Sequence, residues 1–192
     1  MFEWTQVLQS NCFVEGTIVK TDQGNVEIQT VDPKRHTINK KKIKHLTGTF
    51  SPEKRIVCVK KHAFGKNKPN KDTKMSGSHK ILYDGCLIEA RQLVNVNNKI
   101  KFIDYNNECL YNILMEKSEI MYVHNMPVET LHPENTHAKL YNSLLHPKHI
   151  YDITKRLNKA IFTNNKEEYI AAEYELRHPE TIKPEVMMSY DM

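Results

Sequence analysis

A chain of 192 residues with 39% hydrophobic and 27% charged residues has the makings of one soluble domain with a small appendage. The net charge of +5, from 28 basic against 23 acidic residues, is too small for self-repulsion to keep the chain unfolded. No apolar run approaches the roughly 18 residues of a membrane span, and Met1 to Ser10 lacks the basic flank and apolar stretch of an export signal.

In chain order, Thr17 to Thr21 and Asn25 to Val31 alternate apolar and polar residues around Asp22-Gln23-Gly24, which predicts a hairpin. Lys40-Lys41-Lys42-Ile43-Lys44 reads as a solvated charged face. Phosphate contact is the alternative, but no aromatic stacking platform accompanies the lysines, so nucleic acid is not expected as a partner. Strands are expected at Arg55 to Lys60, Lys80 to Tyr83, Cys86 to Glu89, Lys99 to Tyr105, Cys109 to Met115 and Glu119 to Val123, with Asp84-Gly85 and Asn97-Asn98 as turns. The polar, lysine-rich stretch Gly65 to Lys74 reads as a mobile loop. This spacing suits a sandwich or irregular barrel. Its core positions are Val19, Val26, Ile28, Val57, Val59, Ile81, Leu93, Ile103, Leu110, Ile113 and Ile120, with Cys58 facing away from Val57 and Val59.

After His132-Pro133 the period becomes helical. Asn135 to Leu145 carries a stripe of Ala138, Tyr141, Leu144 and Leu145. Pro147 suits the first turn of a second helix through Ile150, Ile153, Leu157 and Ile161. Asn164-Asn165 breaks that helix, Lys166 to Leu176 forms a third, and the rest to Met192 is a tail. The expected organisation is a leader over residues 1–11, a β domain over 12–131 and a helical extension over 132–192.

Cys12, Cys58, Cys86 and Cys109 form no CxxC pair, so neither a zinc site nor a redox motif is suggested, and no disulfide framework is needed at this length. They are read as thiols in a reducing compartment. His146 and His149 are spaced i, i+3, with His132 and His137 nearby, but nothing completes a ligand set, so no metal is expected. With 6 glycines and neither GxGxxG nor GxxxxGK[ST], no nucleotide cofactor is expected either. One constellation stands out. Cys12, Ser76 and His79 are each ordinary alone, since an isolated cysteine is usually a small buried hydrophobe. Together they supply the thiol, hydroxyl and imidazole that acyl transfer uses.

CFVEGTIVKTDQG, from Cys12 onward, resembles the opening block of Hint domains, the module shared by Hedgehog autoprocessing domains and inteins. SGSHKILYDGCLIEARQLVN is similar to their second block, in which a Thr or Ser stands three residues before a His. LYNILMEKSEIMYVHNMPVETL resembles the closing blocks. The likeness runs in order from Cys12 to about Leu131 and lies nearest the Hint variants of bacterial and large-virus proteins. It implies a mostly β, Hint-type fold with a helical extension. Cys12 would attack the carbonyl of Asn11 and turn the amide into a thioester, His79 would act as general acid on the leaving amine, and Ser76 would hold or polarise the scissile carbonyl.

The likeness also implies what is missing. Val123-His124-Asn125-Met126 mimics the His-Asn ending of inteins, but Met126 cannot accept an acyl group. A better register puts the closing strand at Val128-Glu129-Thr130, with Asn125 in the preceding turn and Thr130 in place of the cyclising Asn. Asn112 stands where many inteins carry Asp, and Ser118 where a His is common. Splicing is therefore not expected. The expected function is autocleavage at the N-terminal side of Cys12, with the chain's own leader as substrate, water or a small nucleophile as acceptor, and no cofactor. The eleven-residue leader and the lost closing residues motivate the alternative, a catalytically degenerate Hint-like domain with a binding or structural role, in the cytosol or inside a virus particle.

Overall fold

The structure is a computed structural model that describes residues 11–49, 51, 53–106, 108–135, 138, 147–163 and 165–177. The chain divides into two compact units, Met1–Ala138 and Lys139–Met192.

The first unit is built from short strands: β1 (Phe13–Val14), β2 (Ile18–Thr21), β3 (Gly24–Glu27), β4 (Thr37–Ile38), β5 (Lys41–Thr49), β6 (Arg55–Val59), β7 (Thr73–Met75), β8 (Lys80–Tyr83), β9 (Cys86–Glu89), β10 (Ile100–Asp104), β11 (Leu110–Met115), β12 (Ile120–Val123) and β13 (Met126–Glu129). A one-turn helix, α1 (Ala90–Leu93), follows β9. One sheet runs β10-β6-β7-β1-β11-β5-β4 and the other β3-β2-β12-β13-β8-β9. The fold is mostly β, as expected.

Turn chemistry sets the hairpins. In the β8–β9 hairpin Tyr83 pairs with Cys86, so Asp84 (φ 49°) and Gly85 (φ 77°) form the two-residue connection. Two left-handed residues match the twist of the flanking strands, which is why Asp-Gly serves there. The same geometry recurs between β12 and β13, where His124 (φ 46°) and Asn125 (φ 67°) separate the paired Val123 and Met126. The His-Asn string that mimics an intein ending is a hairpin turn.

The main core gathers Phe13, Val19, Ile28, Val57, Val59, Met75, Ile81, Ile113, Met121, Val123 and Val128 with their neighbours. Of the core positions expected from the sequence, Val26, Ile103 and Ile120 are only half-buried. Val26 and Ile103 lie on β3 and β10, the outer strands of their sheets, and Ile120 is the first residue of β12. Cys58 is buried along with Val57 and Val59, so both faces of β6, which lies between β10 and β7, are covered.

The lysines at residues 40–44 form the exposed face expected of them, on a strand not expected from the sequence: they open β5, in which Ile43 is buried while Lys41, Lys42 and Lys44 are exposed. Lys41 pairs with Glu119 at 2.5 Å and Lys44 with Glu116 at 3.1 Å. The stretch expected as a mobile loop is a run of hydrogen-bonded turns, with His62 N–H on the Pro69 carbonyl and Phe64 N–H on that of Lys68, both at 2.8 Å. It ends in β7, which pairs with β6 and β1.

In the second unit, α2 (Pro147–Phe162) and α3 (Lys166–Arg177) start within a residue of their expected positions, Pro147 serving as the first helical residue. Asn165 caps α3, its Oδ1 accepting the Glu168 N–H at 3.0 Å. Ile153, Leu157 and Ala160 on α2 and Tyr169 and Ala172 on α3 are buried. Arg156 joins the helices, bonding Glu168 through Nε and Glu175 through Nη1, both at 2.6 Å. Apart from Asn135 and Ala138, the helix expected over Asn135 to Leu145 lies outside the described residues, as does the tail beyond residue 177. Half-exposed ion pairs are worth a few tenths to one kcal/mol each. Arg156→Ala should therefore cost about 1 kcal/mol in thermal unfolding of the helices, and the gap should shrink in ~1 M salt. A gap unchanged by salt would mean that packing of the arginine stem, rather than charge, is what was lost.

Candidate active site

Strand register brings the candidate residues together. β1 lies between β7 and β11, with Phe13 opposite Met75 on one side and opposite Tyr111 on the other. One residue back along β1, Cys12 therefore stands between Ser76 and Asn112. Ser76 donates its N–H to the Cys12 carbonyl at 2.9 Å. The Cys12 N–H in turn donates to Ser76 Oγ at 2.9 Å, and that hydroxyl reaches the Cys12 carbonyl at 3.4 Å. From the other strand, Asn112 Nδ2 donates to the carbonyl oxygen of Asn11. Asn112 is itself fixed, since its Oδ1 accepts the Ile113 N–H at 2.7 Å and its carbonyl accepts from Thr47 at 3.1 Å.

The Asn11–Cys12 peptide is thus gripped at both ends by side chains, but not as the sequence suggested. Ser76, expected on the scissile carbonyl, lies at the amide nitrogen. The carbonyl belongs to Asn112, because the antiparallel register puts β7 and β11 on opposite flanks of β1. Asn112 was noted in the sequence only as a departure from Asp, and no local motif shows which strand will pair with β1.

His79 follows Ser76 around a turn, its N–H on the Ser76 carbonyl at 3.1 Å. Its ring is fully buried and packs on Phe13, with centroids 4.1 Å apart. Nε2 lies 3.1 Å from the Glu129 carbonyl. A carbonyl can only accept, so Nε2 carries the proton and Nδ1 of the neutral ring presents a lone pair. Nδ1 is buried with no hydrogen-bond partner among the described residues. Desolvation pulls the His79 pKa down to about 3, although the Glu129 and Asn11 carbonyls both favour the charged form. Burial pushes the Cys12 thiol well above its ordinary pKa, and the nearby Cys109 adds to the rise. The resting site therefore holds a protonated thiol and a neutral imidazole.

Glu129, which the sequence did not single out as a site residue, closes the group. It is 2% exposed, and its Oε1 accepts from Asn11 Nδ2 at 2.8 Å. The other histidine of the region is engaged elsewhere. His124 Nε2 accepts the Ile18 N–H at 3.1 Å, and Nδ1 faces Thr73 Oγ1 at 2.9 Å. Thr130 Oγ1 accepts the Glu119 N–H at 3.0 Å. Among the described residues no three His, Cys, Asp or Glu side chains could hold a metal ion, and His137 and His146 lie outside them.

A family model described as "Hint domain" matches residues 11–135. Among solved structures, the chain is similar to a bacterial intein-like domain from Clostridium thermocellum, with 14% identity, 62% of this chain and 97% of that chain covered, and a TM-score of 0.46. It is also similar to the AceL NrdHF class 3 split intein in a splice-inactive variant, with 14% identity, 63% and 97% covered, and a TM-score of 0.42. No curated protein matches the chain.

Proposed function

The chain belongs to the Hint domain family of self-processing modules, and from that premise we propose that it cleaves itself ahead of Cys12, through a thioester and without splicing. The observation that carries this reading is the pair of grips on one peptide bond, Asn112 on the Asn11 carbonyl and Ser76 on the Cys12 nitrogen.

The steps follow from the resting charges. An ordinary thiol, with a pKa of about 8.5, is only a few per cent thiolate at neutral pH, and the buried Cys12 is less ionised still. Its proton needs a local acceptor, and the open lone pair on Nδ1 of His79 suits that role. The sulfur then attacks the Asn11 carbonyl carbon while charge grows on the oxygen that Asn112 holds. The proton on Nδ1 passes to the Cys12 nitrogen, the carbon–nitrogen bond breaks, and a thioester joins Asn11 to Sγ. His79 thus acts as base before it acts as acid. The peptide bond that Ser76 and Asn112 hold would enter the reaction already positioned, which is the entropic share of the rate. The absence of splicing is supported by His124-Asn125 forming a hairpin turn and by Thr130 standing at the closing position with its hydroxyl occupied.

The test uses the full chain with a carrier protein fused ahead of Met1. Incubation with hydroxylamine or an excess of small thiol should release the carrier, as followed by gel and intact mass, and Cys12→Ala should abolish release. A fusion left intact by both nucleophiles removes the cleavage reading and leaves a binding or structural role for the domain.

A further inference from the structure

The residue before the proposed cleavage point is not a passive end of the substrate. Asn11 is 6% exposed, and its amide nitrogen donates to a carboxylate that is itself 2% exposed. The carboxylate also faces Lys80, whose backbone N–H bonds it and whose half-exposed ammonium lies 3.9 Å from the other oxygen, Oε2. On the far side of the amide, Asn11 Oδ1 is buried and has no hydrogen-bond partner among the described residues. That is an unusual way to bury an asparagine, since a site that merely stored it would satisfy the oxygen as well. Amide resonance moves electron density from nitrogen to oxygen, and donors on the oxygen favour that shift. With no donor on its oxygen among the described residues, the amide keeps more density on nitrogen, and the Glu129 carboxylate on the N–H is placed to take its proton.

We infer that Asn11 is the internal acceptor: its side-chain nitrogen, with Glu129 as base, attacks its own carbonyl carbon and releases the segment ahead of Cys12 as a C-terminal succinimide. The inference rests on the proposed thioester. Nδ2 forms a bond to the Asn11 carbonyl carbon and closes a five-membered imide. The bond from that carbon to Cys12 Sγ breaks, and sulfur leaves with the electron pair. The proton lost by Nδ2 goes to the Glu129 carboxylate and then to the sulfur. Cys12 is left with a free thiol and a free amine, and no external reactant is consumed. Asn112 Nδ2 stays on the carbonyl oxygen throughout, as it does in the resting chain. Ring closure joins atoms of a single residue, so the reactive concentration is set by rotation of one side chain. A carboxylate this buried is short of water, and burial raises its affinity for the proton it has to accept.

The inference concerns what happens without added nucleophile, so its test separates from that of the thioester. The full chain is incubated in plain buffer and in excess small thiol, and the released segment ending at Asn11 is weighed by mass spectrometry. In buffer the parent should release a segment one water lighter than the free acid, which alkaline treatment converts to the acid mass. Asn11→Ala should yield no imide, while thiol still releases its segment. Glu129→Gln should lower the ratio of buffer release to thiol release about 10²-fold within the same protein, a ratio that a general folding defect does not move. The free acid as the only buffer product, an unchanged buffer rate in Asn11→Ala, or thiol release without any buffer release would each overturn the inference. Release under neither condition overturns the thioester and this step with it.

Discussion

In the Asn112→Ala protein, thiol-induced release of a fused carrier should slow by about 10²–10³-fold, the usual loss when one donor to a developing oxyanion is removed. Asn112 is suited to so large an effect because it is fixed before the reaction starts. Its oxygen is held by the Ile113 N–H and its backbone by Thr47, so the amide does not reorganise as charge grows on the Asn11 oxygen. The same substitution removes a buried hydrogen bond and should cost about 1–3 kcal/mol of stability. Rates are therefore compared where circular dichroism shows both proteins fully folded. A variant that cleaves within threefold of the parent would mean that the contact with the Asn11 carbonyl is structural only.

The second large effect is on acid stability. His79 has its pKa lowered from 6.5 to about 3 and His124 to about 4, both chiefly by desolvation. Below about pH 6.5 an unfolded chain protonates both rings while the folded chain keeps them neutral. Stability is therefore full above that pH and is lost as pH falls toward the folded values. At pH 5 the share of His79 alone is about 2 kcal/mol. Carboxylates do not mimic the effect in this window. Asp22 and Asp72 are lowered from 3.8, so their stabilising contribution fades only in stronger acid. Glu129 is raised from 4.5 by burial, so it favours the folded state as pH drops and works against the histidines. Urea midpoints at pH 7.5 and pH 5 should differ clearly for the parent and less for His79→Gln. A parent whose midpoint is flat over that range contradicts a buried neutral His79.

What could be read from the sequence was what neighbours in the chain decide. Asp84-Gly85 announces its hairpin because left-handed backbone selects aspartate and glycine there, and Gly24 (φ 125°) after Asp22-Gln23 marks the other turn for a similarly local reason. Pro147 and Asn165 mark helix boundaries for similarly local reasons. β5 was hidden because four lysines among residues 40–44 mask one buried Ile43, and its strand character comes from pairing with β11, more than sixty residues away. β7 is three residues long and gains its place from neighbours on both sides. Likewise, Cys12, Ser76 and His79 were legible as chemistry-bearing types in a familiar order, whereas Asn112 and Glu129 look like ordinary strand residues. Their roles depend on which strands flank β1, and pairing across the sheet carries no signature in any short window.

The placement of β1 between β7 and β11 also governs timing. The Asn11–Cys12 bond precedes in sequence every group that holds it: its two grips arrive with residues 76 and 112, and the carbonyl that orients His79 arrives with residue 129. A ribosome delivers these in order, so a nascent chain not yet extended to residue 129 carries the sulfur without the groups that hold its peptide bond. On the proposed reading, scission would therefore wait until the whole β domain has been translated and folded.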